Sequence, residues 1–150
     1  MYDFLLIIHS WLRWIVLILA LVVIVKSIAG WMGDKSYSKG DNGMAAGFVG
    51  TMHLQLLIGL ILYVFLSPIT QAAFQDFGAA MKNSGIRYWA VEHIFVMIIA
   101  IALAQVGRTL SKKAKNDTQR FKRQAIFFTT ALVLMLSRIP FDQAERLFRF

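Results

Sequence analysis

Cysteine is absent from this chain, which excludes disulfides, thiolate metal sites, iron–sulfur clusters and haem attached through paired cysteines. Carboxylates are scarce: eight Asp and Glu stand against sixteen Lys and Arg, and charged residues make up only 16% of the 150 positions. A soluble domain carries about a quarter. Proline occurs twice, at Pro68 and Pro140, each closing an apolar run that proline forbids to continue as helix. What remains is apolar. Hydrophobic residues are 58% of the chain and the mean hydropathy is +0.61, in runs too long and unbroken to be the core of a soluble domain. The formal charge of +8 then reads as loop asymmetry and contact with anionic lipid. No basic, aromatic-studded soluble surface is left over to bind nucleic acid.

Four runs match the ~20 residues that a ~30 Å hydrocarbon layer requires: about 4–25, 45–66, 87–106 and 124–139. These boundaries predict an all-α protein, an integral membrane four-helix bundle forming one domain over 1–150. Met1-Tyr2-Asp3 supplies no basic group for a cleaved signal peptide, so the first helix is expected to be retained. The segment 26–42, rich in glycine and charge, reads as a loop. In 69–86, Phe74, Phe77, Ala80 and Met81 recur at helical spacing and suggest a short helix lying in the interface. Tyr88 and Trp89 are interfacial anchors for the third helix. The segment 108–123 reads as a basic cytoplasmic loop and 141–150 as an outer tail along the membrane surface.

Charge sets the topology. Lys26, Lys35, Lys39, Arg108, Lys112, Lys113, Lys115, Arg120, Lys122 and Arg123 all fall between the first and second or the third and fourth helices. Lys82, Arg87, Arg146 and Arg149 fall on the opposite side. The richer side should be cytoplasmic, placing both termini on the outer, periplasmic side of a bacterial inner membrane.

Polar residues inside these runs are costly, at about 3 kcal/mol for a charge near the bilayer centre, and must be repaid. His9 and His93 lie at nearly equal depth from the outer face on parallel helices. Arg13 is one turn below His9, Glu92 adjoins His93, and Arg138 closes the fourth helix. Two histidines on different helices at one depth could ligate haem b, with Arg13 and Arg138 facing its propionates. The same residues could instead form ion pairs with Glu92 and interhelical hydrogen bonds without any cofactor. Glu92 could also relay a proton. His53 is about thirteen residues from the outer end of its helix, roughly 20 Å, and is excluded from that layer. With Gln55 and Gln105 it marks a second polar layer where a quinone carbonyl could be held. Ser10 lies beside His9 without a carboxylate on its helix, so no hydrolytic triad forms.

At this point the chain resembles a family of small four-helix membrane proteins, common in Bacteroidota and labelled "cytochrome B". The resemblance rests on His9-Ser10-Trp11-Leu12-Arg13-Trp14, Lys39-Gly40-Asp41-Asn42, the run His53 to Tyr63, and Arg87-Tyr88-Trp89-Ala90-Val91-Glu92-His93. It covers Met1 to about Pro140 and leaves the tail outside. It implies b-type haem, with the family's histidines falling at His9, His53 and His93. The expectation is therefore a cytochrome b-like subunit passing electrons between a quinone and a partner complex, not an independent enzyme. The rival is a cofactor-free accessory or scaffold subunit of a larger membrane assembly. Transport is disfavoured by the lack of an inverted repeat or broken helix.

Overall fold

The computed structural model describes residues Met1–Phe150 and contains helices and connectors but no strand. Seven helices follow in order: α1 (Tyr2–Met32), α2 (Lys39–Leu66), α3 (Pro68–Gln75), α4 (Phe77–Lys82), α5 (Ser84–Lys112), α6 (Asp117–Ser137) and α7 (Ala144–Leu147). Three of them, α1, α2 and α5, are long and apolar enough to cross a membrane.

All four long helices begin earlier in the chain than hydropathy alone suggests, and α1 and α5 also end later. The apolar run marks only the stretch matched to hydrocarbon, whereas the helix continues until a cap stops it. The 31 residues of α1 span about 46 Å, well beyond a ~30 Å apolar layer. The expected loop at 26–42 shrinks to a short connector because Ser38 and Asp41 form a capping box at the start of α2, satisfying two orphan N–H groups. The basic loop expected at 108–123 is likewise mostly helical. Asn116 caps α6 by accepting from the Gln119 N–H at 2.8 Å, so only 113–116 join α5 to α6.

α1 packs on α2 and α6, α6 packs along α5, and α2 also meets α5. Small residues make these approaches possible. Ala20, Ala45, Ala100, Ala104 and Ala131 are fully buried, and the Phe48 and Phe128 rings meet edge to face at 5.0 Å between them. Gly107 lies so close to Phe127 that a Cβ there would overlap the phenylalanine side chain. Outward faces are apolar instead, with Ile15, Ile18, Leu21 and Val25 of α1 exposed. This inside-out arrangement, small and polar within and branched aliphatic without, is the one lipid favours.

At the end rich in lysine and arginine, a polar lock ties three helices and a connector. Gln124 accepts from the Ser27 hydroxyl (3.1 Å) and donates to Ser111 (3.1 Å) and the Tyr37 hydroxyl (2.5 Å). Gln124, Ser27 and Ser111 are buried, and burial raises the Tyr37 phenol above its ordinary pKa, which keeps it neutral. At the opposite end, 67–83 is not one interfacial helix but two short ones. Asp76 breaks the segment and caps α4 through the Ala79 N–H at 3.0 Å. Ala73 and Ala80 tuck against Ala90, leaving Phe74 and Phe77 exposed.

Gly107→Ala should force α5 and α6 apart and lower stability by about 1–3 kcal/mol in detergent unfolding. Gly47→Ala, where nothing lies within 4 Å of the new carbon, should change it by less than about 0.5 kcal/mol. Equal effects at the two positions would contradict this packing.

Candidate functional site

Two π-helical turns shape the end of the molecule away from the lysine-rich connectors. In Leu62–Leu66 the Ser67 N–H reaches back five residues to the Leu62 carbonyl at 2.7 Å. In Tyr88–Glu92 the His93 N–H does the same to Tyr88. Each inserts an extra residue, rotating what precedes it by about 100° relative to a regular helix. The Tyr63 hydroxyl joins them by donating to the Ala90 carbonyl at 2.6 Å. The consequence is that Tyr63, Trp89 and His93 all face inward.

Between α1, α2, α5 and α6 these residues line a cavity of about 170 Å³. α1 contributes His9, Ser10 and Arg13; α2 contributes Gln55, Gly59 and Tyr63; α5 contributes Trp89 and His93. The remaining wall is mostly aliphatic and methionine.

The two histidines are held differently. His93 Nδ1 lies 2.9 Å from the Arg138 carbonyl. A carbonyl can only accept, so Nδ1 carries the proton and a neutral ring keeps its lone pair on Nε2. This is the arrangement that a backbone carbonyl imposes on metal-ligating imidazoles. The Tyr88 hydroxyl donates to the same carbonyl at 2.7 Å, fixing its position. His9 is positioned by packing: a Cβ on Gly59 would stand 3.1 Å from its Cε1, so a side chain there would press the ring aside by a few tenths of an ångström. Gln55 Nε2 donates to the His9 carbonyl at 2.9 Å. His9 Nδ1, Gln55 Oε1 and Arg13 Nε are buried without a partner, an unusual concentration in one cavity.

The tail packs back on α1, with Leu147 buried and Phe141, Phe148 and Phe150 exposed, and forms part of the cavity wall. Arg13 donates to the carbonyls of Leu147 (2.8 Å) and Arg146 (3.2 Å), Trp14 Nε1 to Leu147 (3.0 Å) and Trp11 Nε1 to Arg149 (2.7 Å). Phe148 stacks on Trp14 at 5.4 Å, the Arg146 guanidinium sits 4.6 Å over the Trp89 ring, and Leu147 is buried in the main core. Arg146 and Arg149 thereby join Arg13 in the cavity wall.

The sequence expectations divide accordingly. His9, His93 and Arg13 share the cavity. The Arg138 side chain does not: it reaches the Ser137 carbonyl (2.9 Å) and approaches Glu92 at 3.8 Å, and only its backbone carbonyl serves the site. Glu92 is paired with Arg87 at 3.0 Å and lies outside the cavity wall, so it offers no relay into that space. The trio His53, Gln55 and Gln105 is not assembled. His53 is exposed and bonded to the Val49 carbonyl of its own helix at 2.8 Å, and Gln105 donates to Thr109 on its own helix. Gln55 belongs to the cavity because two residues turn a helix by about 200°, aiming it away from His53. Arg146, Arg149, Trp11 and Trp14 were the omissions. Three N–H-bearing side chains within one turn of α1 facing a lipid layer were the available signal, since each needs an acceptor.

No three His, Cys, Asp or Glu side chains converge anywhere, so a metal ion held only by protein ligands has no site here. Two imidazoles suffice where a macrocycle supplies the other four positions of an iron, and arginines with no carboxylate in the wall suit its acidic edge. The donor set therefore fits haem. At about 170 Å³ this partly open space is below the ~300–1,000 Å³ of pockets for drug-sized ligands, so a macrocycle would need its walls to part. No family model, curated protein or solved structure matches the chain.

Arg13→Ala should free the tail: amide exchange over 144–150 should accelerate about 10–100-fold, the equivalent of losing charge-assisted bonds. Glu92→Gln, remote from these contacts, should leave that exchange unchanged. Unaltered tail exchange in Arg13→Ala would show that α1 does not hold the segment.

Proposed function

We propose that this chain is a cytochrome b-like subunit of a bacterial cytoplasmic membrane, with one haem b held between His9 and His93 near the periplasmic face. In this reading α6 is the fourth span of a membrane four-helix bundle, both ends of the chain lie outside, and the lysine-rich connectors meet anionic lipid on the cytoplasmic side. α6 is the least apolar of the four because Arg120, Lys122 and Arg123 occupy its first turns, where long basic side chains reach the headgroups.

The observation that carries this reading is the convergence of His9 and His93, from two different helices, on one cavity that also contains Arg13. When bound there, haem iron supplies one-electron transfer. The protein's part is orientation: the Arg138 carbonyl sets the His93 tautomer, Gly59 leaves room for the His9 ring, and the apolar wall excludes water. The resemblance to the "cytochrome B" family supports the same assignment. Two imidazoles converging on a mostly apolar cavity suit electron exchange with a quinone or a partner complex.

A second reading, a cofactor-free accessory subunit, draws on the outer face of α2. Gly43, Gly47 and Gly50 have open space beside them, and His53 is exposed on a helix long enough to span. Both features are ones that another membrane helix commonly covers. Purification with a stoichiometric partner and no chromophore would favour it.

A reduced-minus-oxidised spectrum of protein purified from its own membrane should show a b-type band. His9→Ala and His93→Ala should each abolish it, and His53→Ala should retain it. A colourless preparation, or a band indifferent to His9 and His93, would overturn the assignment.

A further inference from the structure

Arg13, Arg146 and Arg149 line one cavity whose wall contains no Asp or Glu. None of the three takes part in any ion pair of the molecule. Arg13 is partly compensated by backbone carbonyls of the tail, but those carbonyls carry no charge and its Nε remains buried without a partner. Arg146 has only the Trp89 ring. Three guanidiniums lining one partly open cavity repel one another. Exposed carboxylates exist nearby in the chain, at Asp142 and Glu145, yet neither is turned inward to neutralise them. No charge of the chain neutralises the three guanidiniums in this partly open pocket.

We propose that Arg13, Arg146 and Arg149 form a clasp for the carboxylates of the cavity's ligand, and that binding them locks the segment 144–150 closed. Arg13 is the hinge of this device. It is anchored on α1, holds the tail through two carbonyls and also lines the cavity, so one side chain senses both tail and ligand. Arg146 and Arg149 ride on the tail itself. An acidic ligand therefore draws the tail inward, whereas a neutral ligand of the same shape fills the cavity without closing it. A ligand larger than this partly open space would need its walls, the tail among them, to part, and the clasp supplies the reason for the tail to return. The inference rests on the haem reading for the identity of the ligand, whose two propionates are carboxylates. The clasp itself rests on the three guanidiniums, and another long acid such as a fatty acid has the same chemistry.

The test uses full-length protein in nanodiscs of zwitterionic lipid, titrated with haem or with haem dimethyl ester, in which both carboxylates are masked. Wild type should bind haem at least about tenfold more tightly than the ester, the scale of one charge-assisted contact. Haem, but not the ester, should slow amide exchange over 144–150. In R146Q/R149Q, where Arg13 alone remains, the preference should fall to about two- to threefold with ester binding unchanged, and R146K/R149K should restore part of it. Equal affinity for the two porphyrins in wild type, or the same preference in wild type and R146Q/R149Q, overturns the clasp while leaving histidine ligation intact. If neither porphyrin gives a six-coordinate spectrum, the haem reading fails, and oleate then decides the clasp alone. Tail protection by oleate that R146Q/R149Q abolishes sustains it; no protection overturns it.

Discussion

Three side chains on one turn of α1 hold this end of the molecule together: Trp11, Arg13 and Trp14 each donate to backbone carbonyls of the tail. Inside an apolar layer a donor without an acceptor costs several kcal/mol, and so do bare carbonyls of an irregular segment. Each is the other's remedy. The segment 141–150 carries only one turn of helix and could not lie at this depth alone. Docked on α1 it is paired at Arg146, Leu147 and Arg149, and Leu147 reaches the main core.

Much else follows from that contact. The tail completes part of the wall of a cavity between four long helices and imports two arginines that none of those four helices provides. At the opposite end the Gln124 lock joins α1, α5, α6 and the connector at Tyr37. Arg108 Nε and Arg120 Nε at that end are buried without partners, as is Arg138 Nε at the other. Only the cavity gathers three such atoms around one space, His9 Nδ1, Arg13 Nε and Gln55 Oε1, and natural interiors tolerate such atoms chiefly where a ligand, ion or water belongs.

The long helices, their approximate centres and the shared level of His9 and His93 were legible in the sequence. Apolar run length is a direct consequence of bilayer thickness, and two helices separated by one return helix run parallel. Helix ends were less so, because capping by Ser38 and Asn116 extends helices past the apolar run. Two features were out of reach of depth arithmetic. The π-turn at Tyr88–Glu92 changes azimuth without changing composition. The tail resembles a surface segment because Arg146, Phe148, Arg149 and Phe150 alternate charge and aromatic character, and only its donors on α1 reveal where it docks. The Gln55 misplacement, by contrast, was avoidable: helical azimuth alone separates it from His53. Arg138 illustrates another limit, since its carbonyl and not its guanidinium serves the site.

The central claim is that His9 and His93 act as a pair through one cavity, with His93 Nδ1 committed to the Arg138 carbonyl. Near-infrared magnetic circular dichroism of the oxidised, membrane-purified protein tests this most directly, because its charge-transfer band reports the identity of both axial ligands. The account predicts a low-spin bis-imidazole band that either single replacement, His9→Met or His93→Met, moves to the imidazole–thioether position. A high-spin signal in the wild-type protein, or a bis-imidazole band that moves only when His53 is replaced, would contradict it.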